Sequence, residues 1–305
     1  MEWFVPALFA RDLCGYRSTN GKPNTSDAND PLSIQLGLAL FRNLQVEQGQ
    51  AVIPDSGDAL ESAIAEHLRS LRPDLTVARS RPAASFAQYS HLDAFPAFRR
   101  THTGASTALA RVTRAIEEVS DDRDRRRLMR TLSVLNKQLS DEAAVVRQLK
   151  REMPEESLLK IDISVAIPDS HGSSELAIAL SSKWTLRTDR AQDCVSQGGK
   201  LVAHRRGQMP HYAVVTIEPR PSMLRILGDG SGSIDCVYHL DLPALKRAIR
   251  EESEHRSAPG NWSPRVTFDR LVEQRRIRDY DDLVLHLIRL PPPHALQRAG
   301  EAANR

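Results

Sequence analysis

Two neighbouring apolar stretches constrain the fold of this chain most. From Leu158 to Ile167 the residues alternate in steps of two, with Ile161, Ile163, Val165 and Ile167 on one face of a strand and Asp162 on the other. A polar turn from Pro168 to Ser174, with Asp169, His171 and Gly172 in it, leads to a second apolar run, Leu176 to Leu180, which reads as a buried strand ending at Lys183. A connection this short joins antiparallel neighbours, because parallel strands need a long crossover. The pattern therefore predicts a hairpin with Asp162 and Lys183 on adjacent strands. By itself that pairing carries little meaning, since acids and lysines are common at strand ends.

The flanking segments predict helices and further strands. Residues 15–31 are rich in Gly, Asn, Ser, Thr, Asp and Pro and read as a loop. Leu36, Leu40 and Leu44 mark a helix over 32–44. Asp58 reads as the N-cap of a helix carrying Leu60, Ile64, Leu68 and Leu71 and closed by Pro73, which puts Glu61 in the first turn, where the macrodipole favours an acid. Residues 74–100 are mixed, with strand-like pieces and the aromatics Phe86, Tyr89, Phe95 and Phe98; 105–150 is helical, and its charge-dense part, Asp121 to Arg130, reads as a solvated face. Beyond the hairpin come a helix over 191–206 interrupted at Gly198-Gly199, a strand from His211 to Ile217, and a turn from Gly228 to Gly232. A strand from Ile234 to Leu240 follows, then helices over 242–253 and 266–288 and a frayed tail over 291–305. Strands separated by helices predict an α/β fold with a central mixed sheet flanked by helices. Its expected organisation is one domain over 1–290, with a helical part (32–150), a sheet core (155–245) and C-terminal helices (242–290).

Bulk properties narrow the function by exclusion. With 42 Lys+Arg against 39 Asp+Glu, the net charge is +3, so any nucleic-acid surface must come from local clustering. Cys14, Cys194 and Cys236 are odd in number and lack metal-site spacing, which reads as reduced thiols in a cytoplasmic protein. The short apolar patch from Trp3 to Ala10 is spoiled as a signal peptide by Glu2 and Pro6. No run approaches the ~20 apolar residues of a membrane helix, so no membrane partner is expected. Walker loop, dinucleotide-binding glycine fingerprint, zinc spacing and internal repeat are all absent from the sequence.

Chemistry concentrates in Ser181-Ser182-Lys183-Trp184-Thr185-Leu186-Arg187-Thr188-Asp189-Arg190-Ala191-Gln192. Asp162 on the neighbouring strand can hold a divalent metal beside a phosphate, and the backbone carbonyl of Ser182 adds an oxygen ligand of the kind Mg²⁺ prefers. Lys183 can hold or help deprotonate an attacking water and offset charge on the phosphorane. Arg pairs bidentately with guanine O6 and N7, and Asp accepts from cytosine N4, so Arg187, Asp189 and Arg190 suit G·C pairs. The plainer alternative for these three is a surface salt-bridge cluster.

The segment 181–192 closely resembles the signature of the CCGG-family type II restriction endonucleases, within the PD-(D/E)XK nuclease superfamily. The similarity takes in Ser56–Glu61, Ile161–Ile163, Arg206-Gly207, Pro210-His211, Val214–Thr216, Glu218-Pro219 and Ile234–His239, and is greatest to members that cut GCCGGC. It implies a restriction-endonuclease-like core and a Mg²⁺-dependent enzyme that cuts double-stranded DNA before the first C of CCGG, leaving four-base 5′ overhangs. It also implies a homodimer or dimer of dimers, with a cognate DNA methyltransferase as functional partner. By position, Asp162, Ser181, Ser182 and Lys183 match the catalytic and metal-binding set, although Ile161 replaces the proline that usually precedes the aspartate. Glu61 matches the helix glutamate that completes the acidic site, and Arg187, Asp189 and Arg190 match the readers of the inner CCGG. Two positions depart. Fourteen residues past Lys183, where the family has a glutamate, stands Gln197. The arginine that reads the outer base pair is replaced by Met223, leaving Asp27, Arg220 and Arg225 as outer-base or backbone contacts. The first departure makes a CCGG-binding protein with a weakened nuclease site an alternative, and a repair or recombination nuclease of the superfamily is a more distant one.

Overall fold

The computed structural model describes residues 9–94, 97, 106–152, 159–168, 174–229 and 232–293. Contacts divide the chain into a larger unit, Met1–Tyr89 with Leu159–Arg305, and a smaller one, Ser90–Leu158.

The larger unit is built on a six-stranded mixed sheet whose strands lie in chain order. These are β1 (Thr76–Pro82), β2 (Lys160–Pro168), β3 (Ser174–Lys183), β4 (His211–Thr216), β5 (Cys236–His239) and β6 (Ile277–Asp279). The first three pair antiparallel and the last four parallel. The predicted β2–β3 hairpin is present, although its turn, Asp169 to Ser173, lies outside the described residues. Helices make the crossovers that parallel pairing requires. α6 (Thr188–His204) links β3 to β4, α7 (Pro221–Gly228) links β4 to β5, and α8 (Leu242–Glu254) with α9 (Ser263–Glu273) links β5 to β6. Upstream lie α1 (Phe9–Leu13), α2 (Pro31–Leu44) and α3 (Ser56–Leu71), and α10 (Tyr280–Ile288) follows β6. The mixed sheet flanked by helices is the expected α/β architecture.

Several local expectations are corrected. Strict alternation along β2 fails: Ile163 through Ile167 are all buried, and the register shifts between Val165 and Ala166. A sheet covered on both faces buries both sides of a central strand, which leaves half-buried Asp162 as the polar exception near one end. The N-cap of α3 is Asp55, whose carboxylate accepts the Asp58 amide, so Asp58 sits in the first turn and Glu61 a turn further in. A capping role for Glu61 is thereby removed. α6 runs unbroken through Gly198-Gly199. A Cβ at Gly198 would lie 2.7 Å from both the Ser233 carbonyl oxygen and the Tyr212 ring, so this glycine serves close packing rather than a break. The single helix expected over 266–288 is two helices divided by β6, with Arg275 in the left-handed region (φ 57°) ending the first. Of the tail expected to fray, residues 294–305 lie outside the described residues, as do Phe95 and Phe98.

The smaller unit contributes α4 (Ser106–Glu117) and α5 (Asp122–Glu152), with the Asp121 carboxylate accepting the amides of Arg123 and Asp124 where α5 begins. Ile116 is its one buried large apolar side chain among the described residues, while Val112, Leu128, Val134, Leu135 and Val145 are exposed. No helix among the described residues is long and apolar enough to cross a membrane.

Candidate active site

The carboxyl ends of β3 and β4 and the start of β2 meet at one corner of the sheet, the place where open α/β sheets bind ligands. Antiparallel pairing of β2 with β3 sets Asp162 against the last three residues of β3. Asp162 Oδ2 accepts from Ser181 Oγ at 3.0 Å, from the Ser182 amide at 3.1 Å and from Lys183 Nζ at 2.6 Å. Ser181 is fully buried, whereas the Asp162 and Lys183 side chains are 18% and 22% exposed, open enough to meet a ligand. All three contacts fall on one oxygen, so Oδ1 keeps its ligating capacity.

Glu61 approaches from α3, held there by Leu60, Ile64 and Leu68 in the core. Its Oε2 lies 3.3 Å from Arg79 Nη2 of β1, and the same guanidinium bonds Asp58 and, at 2.6 Å, Ser62 Oγ. Burial, then the charge of Asp162, pushes the Glu61 carboxyl above the usual range, while Arg79 and Lys183 pull the other way. A carboxyl whose proton affinity is raised by a neighbouring carboxylate also favours a cation shared with it. With the Ser182 carbonyl the donor set is all oxygen, which fits a hard divalent ion such as Mg²⁺. Asp162, Ser181, Ser182, Lys183 and Glu61 are thus brought together.

Gln197 faces a different neighbour. Tyr212 Oη donates to the Cys194 carbonyl at 2.9 Å and lies 3.4 Å from Gln197 Oε1. Cys194 Sγ is 3.4 Å from Ser181 Oγ, and burial pushes its thiol up, so it packs as a neutral group behind the serine. No cluster of three His, Cys, Asp or Glu able to hold a metal occurs among the described residues, consistent with Gln where a third acid would stand.

The candidate readers sit at the start of α6. Arg187 is its N-cap residue and Asp189 lies in its first turn, where the macrodipole favours an acid. Their side chains are 65% and 68% exposed and 3.7 Å apart, and Arg190 is exposed as well. Behind them the chain is anchored: Trp184 and Leu186 are buried, and Trp184 Nε1 donates to the Asn24 carbonyl at 3.2 Å. The remaining three expected contact residues separate. Arg225 is exposed on α7, and the Asp27 side chain is 39% exposed. Arg220 is not at the surface; its side chain is 8% exposed and paired with fully buried Glu218. Arg79 went unnoticed in the sequence, and Glu218 entered only as part of the resemblance, with no role assigned. A cation inside a strand-like piece carries no signal for the first, and only its proximity to the Pro219 and Pro221 strand terminators marks the second.

A stretch of 113 residues is 39% identical to "Type II restriction enzyme NgoMIV" of Neisseria gonorrhoeae, and it spans 37% of each chain. Residues 56–288, from the start of α3 through the whole sheet to the end of α10, match the NgoMIV restriction enzyme family, and the chain belongs to that family.

Proposed function

We propose that the protein is a Mg²⁺-dependent type II restriction endonuclease that cuts double-stranded DNA at a palindrome containing CCGG, before the first C. The observation that carries this is the convergence of Ser181, Ser182 and Lys183 on Asp162 Oδ2, four residues ahead of an exposed Arg-x-Asp-Arg at a helix start. Asp162, Glu61 and the Ser182 carbonyl would hold the ion, which when bound supplies Lewis-acid stabilisation of the phosphate. Ser181 and the Ser182 amide orient the Asp162 carboxylate. Lys183, 2.6 Å from that carboxylate, holds the attacking water and offsets the charge that builds on the phosphorane. Arg187, Asp189 and Arg190 read the inner C·G and G·C pairs from the major groove. A palindrome calls for two-fold protein symmetry, hence a dimer or a dimer of dimers. Asp27 and Arg225 are the exposed groups available to the flanking pairs.

Gln197 supports a second reading, a CCGG-binding protein with a weakened nuclease site. Incubation with plasmid and Mg²⁺, followed by mapping of the ends, separates the two. Ends at CCGG establish the enzyme, specific binding without cutting favours the second reading, and ends elsewhere defeat both.

A further inference from the structure

We propose that the buried Glu218–Arg220 pair is a positioning clamp for the reading segment, so that base discrimination depends on two residues that touch no base. This rests on the reading of Arg187, Asp189 and Arg190 as base readers. Glu218 lies two residues past β4 and is fully buried. Its Oε2 accepts the Leu186 amide at 2.7 Å, and its Oε1 accepts the Arg220 amide at 3.0 Å and Arg220 Nε at 2.6 Å. Arg220 Nη2 in turn donates to the Leu186 carbonyl at 2.6 Å. Both polar groups of Leu186, the residue immediately before Arg187, are therefore held by one ion pair.

The location makes this contact consequential. β3 ends at Lys183, and α6 starts with Arg187 as an N-cap that provides no side-chain bond to the helix amides. Between them, the Trp184 carbonyl accepts the Ile217 amide and Thr216 Oγ, both at 3.3 Å, and Leu186 is gripped by Glu218 and Arg220. The reader helix is thereby tied to the end of β4, the strand that pairs with β3 beside Lys183. Arg220 reaches further: Nη1 lies 3.7 Å from both Asp27 Oδ2 and Asp30 Oδ2, and Asp30 caps α2. One guanidinium thus joins the reader segment to the loop that carries Asp27. An apolar pair would serve stability as well or better, because desolvating two charges is costly. What an apolar pair cannot supply is a donor and an acceptor at fixed positions for Leu186.

The test uses the paired variant Glu218→Leu/Arg220→Met, since replacing both partners avoids leaving an uncompensated buried charge. Its melting midpoint is compared with that of the wild type. Binding without divalent metal is then measured to a duplex containing CCGG and to one with a single inner pair changed. In a variant that melts like the wild type, the preference for CCGG is expected to fall by about tenfold or more, roughly the worth of one bidentate base contact, while affinity for the altered duplex stays unchanged. An undiminished preference overturns the clamp. A wild type with no preference overturns the base-reading assignment beneath it. If the paired variant does not fold, hydrogen exchange of the wild type decides the matter. Leu186 is expected to exchange as slowly as the interior of β3, and exchange at the rate of a loop amide overturns the proposal.

Discussion

The proposed catalytic corner ends β3 at Lys183 and the proposed reading segment begins four residues on at Arg187, yet they are built on opposite plans. At the corner each functional side chain has a partner: Asp162 is held by three donors and Glu61 by Arg79. In the reading segment Arg187, Asp189 and Arg190 extend into solvent, and the order resides in the backbone behind them, at Trp184 and Leu186. Chemistry on a phosphate requires groups fixed before the substrate arrives, since reorganisation adds to the barrier. Base reading requires side-chain donors and acceptors exposed to the groove, carried on a backbone that does not move. Under the proposed function one short sequence serves both demands, a strand end supplying the first and a helix start the second.

The largest effect that tests this contrast is at Lys183. Lys183→Ala is expected to lower cleavage by about 10²–10³-fold and to leave CCGG-specific binding intact, as read by plasmid cutting alongside gel shift. If cutting and binding fall together, the two regions are not separable. Arg187→Ala or Asp189→Ala should do the converse, costing ~1–3 kcal/mol of discrimination each at the base pair read and leaving the rate on bound DNA little changed. Competition binding with single-pair variants of the site measures it.

A substitution shared by both regions comes next. Gly198→Ala forces a methyl against Tyr212 and the Ser233 carbonyl and should cost about 1–3 kcal/mol of stability, displacing α6 and so weakening cutting and reading together. Gly199→Ala meets nothing within 4 Å and should stabilise by about 0.5–1 kcal/mol, which makes it the control in thermal melts.

The smallest effect concerns pH at the corner. The folded protein holds a proton on Glu61 more tightly than the unfolded chain does, so the stability linked to this group is present at low pH and is lost as pH rises through its raised folded pKa. Glu61→Gln should therefore raise the melting temperature modestly at neutral pH and flatten its fall above pH 4.5, the ordinary value. The same substitution should weaken Mg²⁺ binding, measured by calorimetry. A variant that is less stable at neutral pH would contradict the electrostatic account of the corner.

Legibility differed between the two regions for physical reasons. The hairpin was readable because an alternating apolar run and a short turn leave one pairing for Asp162 and Lys183. Alternation as such failed beyond Asp162, since β2 is buried there whichever way a side chain points. Helix starts were misplaced by a few residues at α3, where Asp55 and Asp58 are both capable caps and the choice depends on backbone geometry. The division of the C-terminal stretch by β6 was invisible because Ile277–Asp279 is too short to show a period. Glu61 was readable as a candidate site residue only through resemblance, since the approach of α3 to Asp162 is set by tertiary packing.

The β2–β3 hairpin, the acid–lysine pair on it and the Arg-x-Asp-Arg beyond it are written in the chain itself, because they follow from local periodicity and from side-chain chemistry at neighbouring positions. Folding was needed to establish that Arg79 faces Glu61, that Gly198 seats α6 on Tyr212, and that Arg220 belongs to a buried pair rather than the surface. The first two join residues from different elements, and the third pair, though only two residues apart, is buried by its contacts with Leu186 and with Asp27 and Asp30. Only packing in three dimensions sets which cation meets which acid and how much water remains between them.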